Sequence, residues 1–134
     1  MHDPTDLELR TLLRGHIATY EQLDTLLFLH RAAGGRTVAA VAEELKLPPR
    51  DVAQALERLS AAQLVRTDTA SEAAVFHCAP GSPDLARAVN RLAEVDAANR
   101  VKVVELMAET AIDRLRERTT QAFERFSADR VKQR

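Results

Sequence analysis

The last 51 residues of this chain, from Asp84 onward, contain neither glycine nor proline. Because apolar residues also recur there every three or four positions, the segment predicts long helices. Ser82-Pro83-Asp84 opens it with an N-cap, a proline at the first helical position and an acid that suits the helix dipole. The polar stretch 96–100 separates two apolar stripes, so we expect the helix to bend or change partner there.

The second of these stripes is too long for a single small domain to cover. A continuous helix over 83–133 is ~75 Å long, and only roughly 80 residues precede it. The sequence therefore predicts either a break near 117–120 or a partner chain. The partner we expect is a second copy, in a homodimer with a coiled contact. Its interface residues would be Val101, Val104, Ala108, Ala111 and Leu115.

Short helical patterns alternate with turn signals in the first 82 residues. Helices are predicted over about 7–14, 19–33, 38–46 and 49–63, with Thr37 as an N-cap and Pro49 at a first helical position. Two short strands follow, over 64–67 and 74–78, with a hairpin loop between them. The fold class is mainly α with a small β-hairpin, divided into a domain over 1–82 and a helical dimerisation segment over 83–134.

The segment from Val41 to Leu59 resembles the helix-turn-helix of bacterial regulators. Ala42 is small where the two helices would cross. With the predicted hairpin, the order of elements over about 19–78 is similar to winged-helix transcription regulators of the MarR-like type. That family often has glycine where this chain has Lys46 and Gln63. A left-handed backbone at either position costs about 1 kcal/mol.

The resemblance implies that the chain binds double-stranded DNA as a homodimeric transcription regulator. The residues expected to contact DNA are Arg36, Thr37, Arg50, Gln54 and Arg58. Arg50 and Gln54 lie on the outward side of the second helix, where they could read guanine and adenine edges in a major groove. The other three could bind phosphates.

The charge distribution weakens the prediction of DNA binding at the outward side of the second helix. The chain has 19 Lys+Arg, 20 Asp+Glu and a net charge of −1, and residues 1–82 carry 8 basic and 11 acidic residues. Asp51 and Glu57 also lie on the outward side, and counterion release supplies most non-specific DNA affinity. The alternative is a winged-helix module that binds a protein and not DNA.

The basic excess lies over 114–134, with 7 basic against 3 acidic residues, so the tail is a second candidate contact for phosphates or an acidic partner.

Residues for enzyme chemistry form no recognisable motif. The sequence has no Gly-rich phosphate loop, no GxSxG and no HExxH, and its four histidines lie in separate segments. We therefore expect no enzyme activity, no metal site and no cofactor. The single cysteine, Cys78, is expected to be a packed thiol. No apolar run approaches the ~20 residues of a membrane helix, so we expect a soluble cytoplasmic protein with no membrane partner.

Overall fold

The computed structural model describes residues 4–32, 34–69 and 74–132, with side chains over 6–32, 34–69 and 74–120. Within these residues the chain forms six helices and one hairpin, which confirms the predicted fold class. The helices are α1 (Pro4–His16), α2 (Tyr20–Arg31), α3 (Val38–Leu45), α4 (Pro49–Ala61), α5 (Pro83–Ala98) and α6 (Arg100–Lys132), and the strands are β1 (Val65–Asp68) and β2 (Val75–Cys78). No helix in this described part is long and apolar enough to cross a membrane.

A three-helix unit is formed by α2, α3 and α4, with α4 packed against both of the others. The Thr19 and Thr37 hydroxyls cap α2 and α3 by accepting the backbone N–H of Gln22 and Ala40, each at 3.2 Å. These caps satisfy amide groups that the first helical turn leaves unpaired. The fully buried side chains of the unit are Leu23, Leu26, Val41, Val52, Leu56 and Leu59.

Left-handed residues follow both helices of the helix-turn-helix, as the family resemblance implies. Lys46 has φ 56° and ψ 44° after α3, and Gln63 has φ 64° after α4. The reversal at Lys46 lets the Leu47 N–H donate to the Ala42 carbonyl at 3.1 Å. A glycine at such a position avoids a penalty of about 1–2 kcal/mol. Lys46 and Gln63 therefore both carry the cost of a left-handed backbone.

The wing is a small sheet that involves more of the chain than predicted. β1 and β2 pair antiparallel, with Val65 opposite Cys78. A third segment, which the sequence did not predict, joins β2: Arg36 and Phe76 exchange backbone hydrogen bonds of 3.0 and 2.8 Å. The start of α3 is thereby fixed to the hairpin. A Cβ at Gly35 would collide with two side chains of β2, so this position requires glycine.

The two C-terminal helices meet at a break where it was predicted. The Ser82 hydroxyl caps α5 by accepting the Leu85 N–H at 3.1 Å, and Asn99 separates α5 from α6. The break expected near 117–120 is wrong, because α6 runs unbroken for 33 residues, ~50 Å. This stretch contains no helix-breaking residue, and its local helix propensity is therefore sufficient to keep α6 continuous. A partner chain for α6 stays a prediction.

The N-terminal helix packs with the C-terminal helices α5 and α6. It is longer than predicted and continues through Gly15, where a Cβ would meet nothing within 4 Å. Its buried leucines belong to the same apolar cluster as Val103, Leu106 and Met107 of α6 and the core of the three-helix unit. The division of the chain at residue 83 stays a prediction.

Hydrogen bonds and ion pairs also connect α1 to α6. Arg114 donates from its guanidinium to carbonyl groups at the end of α1, which that helix cannot satisfy itself. Three ion pairs advance together along the two helices: Asp6 with Lys102 at 3.0 Å, Arg10 with Glu109 at 3.0 Å, and Arg14 with Glu117. Together these contacts fix the position of the first half of α6.

Candidate nucleic-acid interface

The second helix of the helix-turn-helix, α4, has one buried and one exposed face. Arg50, Gln54 and Glu57 recur at helical spacing and are exposed. Arg50 lies in the first turn of α4 and Gln54 one turn later, as the sequence predicts. The opposite face is held in the core by Val52, Ala55, Leu56 and Leu59. Because packing fixes the buried face, it also fixes which side chains point away from the protein.

A hollow of about 230 Å³ lies between α4 and the start of α2. Gln54 and Arg58 line it together with Asp51 and Thr19. The structure thus brings two of the predicted DNA-contacting residues together, and it adds the capped N-terminus of α2 beside them. A helix N-terminus presents amide groups and a positive dipole end to an anion. No local sequence signal predicts this proximity, because Thr19 and Arg58 are far apart along the chain.

Arg36 and Thr37 lie at the junction between the wing sheet and α3 and do not line this hollow. The Arg36 guanidinium donates to the Gly35 carbonyl at 2.9 Å, and its backbone belongs to the sheet. The Thr37 hydroxyl accepts the Ala40 N–H. The Thr37 hydroxyl proton is not used in that cap bond, and it could donate to a phosphate. The five predicted residues therefore fall into two groups, one on α4 and one at the start of α3.

The electrostatics of the α4 face are mixed. Glu57 is exposed beside Gln54, and Asp51 is half-buried at the hollow. Arg66 on β1 is exposed and adds a positive charge on the wing, which the sequence interpretation missed. The strand alternation of a buried Val65 and an outward Arg66 is the signal that could have identified it. The surface therefore offers separate arginines and not one continuous basic patch.

The long helix α6 has two apolar stripes, and only one of them is covered. Val103, Leu106 and Met107 are buried in the core of the chain. The predicted dimerisation residues lie on another face and are exposed: Val101 by 65%, Leu115 by 64% and Val104 by 37%, together with Ala108 and Ala111. Ile112, 51% exposed, extends this outer stripe. A single copy of the chain therefore leaves an apolar helix face in water.

Cys78 and His30 make structural contacts. Cys78 packs against the core, as predicted, and burial raises the pKa of its thiol. The His30 Nε2 atom lies 2.7 Å from the Asn90 Oδ1 atom, which joins α2 to α5. Across the described residues, no group of three or more His, Cys, Asp or Glu side chains is placed to hold a metal ion.

Comparison with solved structures identifies the architecture. Reduced HlyU from Vibrio cholerae superposes with a TM-score of 0.51 and 16% identity, over 71% of this chain and 88% of that one. The transcriptional regulator Tm0710 from Thermotoga maritima superposes with a TM-score of 0.50 and 18% identity, over 92% of this chain and 89% of that one. No protein-family model and no curated protein matches the sequence. The chain has a winged-helix fold, as the sequence resemblance predicts.

Proposed function

We propose that the chain is a MarR-like transcription regulator that binds double-stranded DNA as a homodimer. The observation that carries this proposal is the exposed face of α4, with Arg50 and Gln54 held outward by the buried opposite face. The second helix of a helix-turn-helix lies in the major groove with its first turns against base edges. The winged-helix likeness to Tm0710, a transcriptional regulator, supports the same function.

Each predicted contact has a chemical role in this arrangement. Arg50 can donate two hydrogen bonds to a guanine edge, and Gln54 can pair with an adenine edge through its amide. Arg58, at the edge of the hollow beside the start of α2, would bind a phosphate. Arg36 and Thr37 would bind a second phosphate near the wing.

The outer stripe of α6 supports the proposed homodimer. Its side chains, from Val101 to Leu115, expose apolar surface that a second copy could cover. A two-fold symmetric regulator presents two α4 helices to successive major grooves, about 34 Å apart along the duplex. A monomer would engage only one half-site.

A second function, protein binding without DNA binding, is favoured by the acidic residues. Glu57 is exposed in the centre of the α4 face, and residues 1–82 have a net charge of −3. Phosphate contacts would have to overcome this repulsion.

Fluorescence anisotropy with a labelled random duplex at about 50 mM salt separates the two functions. Wild-type protein should bind, and R50A/Q54A should bind at least about 10-fold more weakly, because a bidentate contact with a base is worth about 1–3 kcal/mol. R87A, which removes the same charge from an exposed position on α5, is the control and should bind like wild type.

Two other outcomes would reject the proposed site. Wild-type protein that fails to bind at low salt would favour the protein-binding module. Binding that survives R50A/Q54A and disappears in R125A/R130A/K132A would move the contact to the C-terminal tail.

A further inference from the structure

One border of the outer stripe of α6 carries two charged residues of opposite sign, Glu105 and Arg116. Each residue of an α-helix turns by ~100°, so Glu105 and Arg116 lie on the same side of the stripe, ~60° and ~80° from Ala108. Both are exposed. Neither makes an ion pair with any side chain that the structure describes. One border of the outer stripe therefore carries an acid near its start and a base near its end, and neither is paired with a side chain in the described part of its own chain.

Two antiparallel helices related by a two-fold axis place the same border of each helix together. A residue on one side of the axis then lies opposite the partner's residue that is about equally far along the helix on the other side. With the two-fold axis level with Thr110, Glu105 of each chain faces the partner's Arg116, and this pair forms twice. The same register sets Ala108 against the partner's Ile112 and Val104 against the partner's Leu115, so small and large apolar side chains alternate.

A parallel pairing would bring two basic segments together. It would place the two 114–134 segments side by side, although each has 7 basic and 3 acidic residues. It would also place Glu105 beside the partner's Arg100, but Arg100 already donates to Asp24 and Asp96 of its own chain at 2.6 and 2.7 Å. Antiparallel pairing separates the basic segments, because they lie at opposite ends of the interface.

We infer that two copies of the chain associate through antiparallel α6 helices, with the two-fold axis level with Thr110 and reciprocal ion pairs between Glu105 and the partner's Arg116. This inference rests on the proposed homodimer, and it adds the direction and register of the interface. The paired Glu105 and Arg116 charges would also select this register over its neighbours, since a shift by one helical turn separates them.

A charge-reversal cycle tests the ion pairs. E105R and R116E should each raise the dimer dissociation constant by at least ~10-fold in sedimentation velocity, because each creates two like-charge contacts per dimer. The double variant E105R/R116E restores opposite charges and should return the constant to within ~3-fold of wild type. D113R makes the same charge change on an exposed residue ~140° from Ala108 and should leave the constant unchanged.

Cysteine crosslinking in a C78S background tests the direction. V104C and L115C, mixed in equal amounts and mildly oxidised, should form a crosslinked heterodimer, while each variant alone should form little. Efficient crosslinking of V104C with itself would show a parallel pair and overturn the inference.

The remaining outcomes separate this inference from the proposed homodimer. A wild-type dimer that is insensitive to E105R and R116E, and that does not crosslink through Val104 and Leu115, would overturn the antiparallel interface and leave the homodimer standing. Wild-type protein that remains monomeric at micromolar concentration would overturn both.

Discussion

Replacement of Arg114 by alanine tests how α6 is anchored to the body of the chain. The Arg114 Nε atom donates to the Arg14 carbonyl at 3.0 Å, and its Nη2 atom donates to the carbonyls of Arg14 at 2.7 Å, Ile17 at 2.9 Å and Leu13. These are carbonyl groups at the C-terminus of α1, where a positive charge also suits the helix dipole. R114A would remove all of these interactions at once.

The size of the effect follows from this geometry. A hydrogen bond from a charged donor contributes about 1.5–3 kcal/mol when it is shielded from water. Burial, followed by the charges of Arg118 and Arg14, lowers the pKa of Arg114, so repulsion offsets part of the gain. Because the side chain is also partly exposed, we expect R114A to lower the free energy of unfolding by about 2 kcal/mol. For a chain of this length this lowers Tm by about 7 °C.

The assay is urea unfolding followed by circular dichroism at fixed protein concentration. R114K keeps the charge but not the forked geometry, and it should lose about half as much stability. R118A removes a neighbouring exposed charge and should change stability by less than about 0.5 kcal/mol. If R114A unfolds at the same urea concentration as R118A, the guanidinium does not anchor α6 to α1.

Three further predictions concern the turns, the wing and the thiol. K46G should raise the free energy of unfolding by up to about 1 kcal/mol in the same urea assay, because glycine relieves the left-handed strain at φ 56°; a loss of stability would contradict this. G35A should lower the free energy of unfolding by about 1–3 kcal/mol, since a Cβ would collide with the Val75 and His77 side chains. Unchanged stability would show that the wing adjusts to the added Cβ. Burial raises the pKa of Cys78, so iodoacetamide should react with it more slowly at pH 8 than with the urea-unfolded chain; equal rates would mean that the thiol is not packed.

Local signals in the sequence predicted most elements of this fold. Thr37, Pro49 and Ser82-Pro83 mark helix starts through hydrogen bonds or backbone geometry that involve only their neighbours. The left-handed conformations of Lys46 and Gln63 were expected from the resemblance alone, because the family often has glycine at these two positions.

Contacts between distant parts of the chain were not predictable in the same way. Arg36 pairs with Phe76, and Arg114 caps α1 about 100 residues away, yet neither sequence position differs from an ordinary surface residue. The break near 117–120 was wrongly predicted as well, since it was expected from the length of an apolar stripe that one domain cannot cover, and α6 stays helical without that cover. Such partners depend on tertiary packing, which no local pattern encodes.

The positions of the α4 residues illustrate both cases. Their outward direction follows from helical spacing and could be predicted for Arg50 and Gln54. The hollow that Gln54 shares with Thr19 depends on how α2 crosses α4, which only the fold determines.

We propose that the exposed face of α4 binds duplex DNA, and backbone NMR shifts measured while a short duplex is added are a direct test of this binding. The largest changes should fall on Arg50, Gln54 and Arg58, with smaller ones at Arg36 and Thr37. Residues of the same helix that face the core, such as Leu56, should shift less. Changes confined to residues 114–134, or no changes at about 50 mM salt, would contradict it.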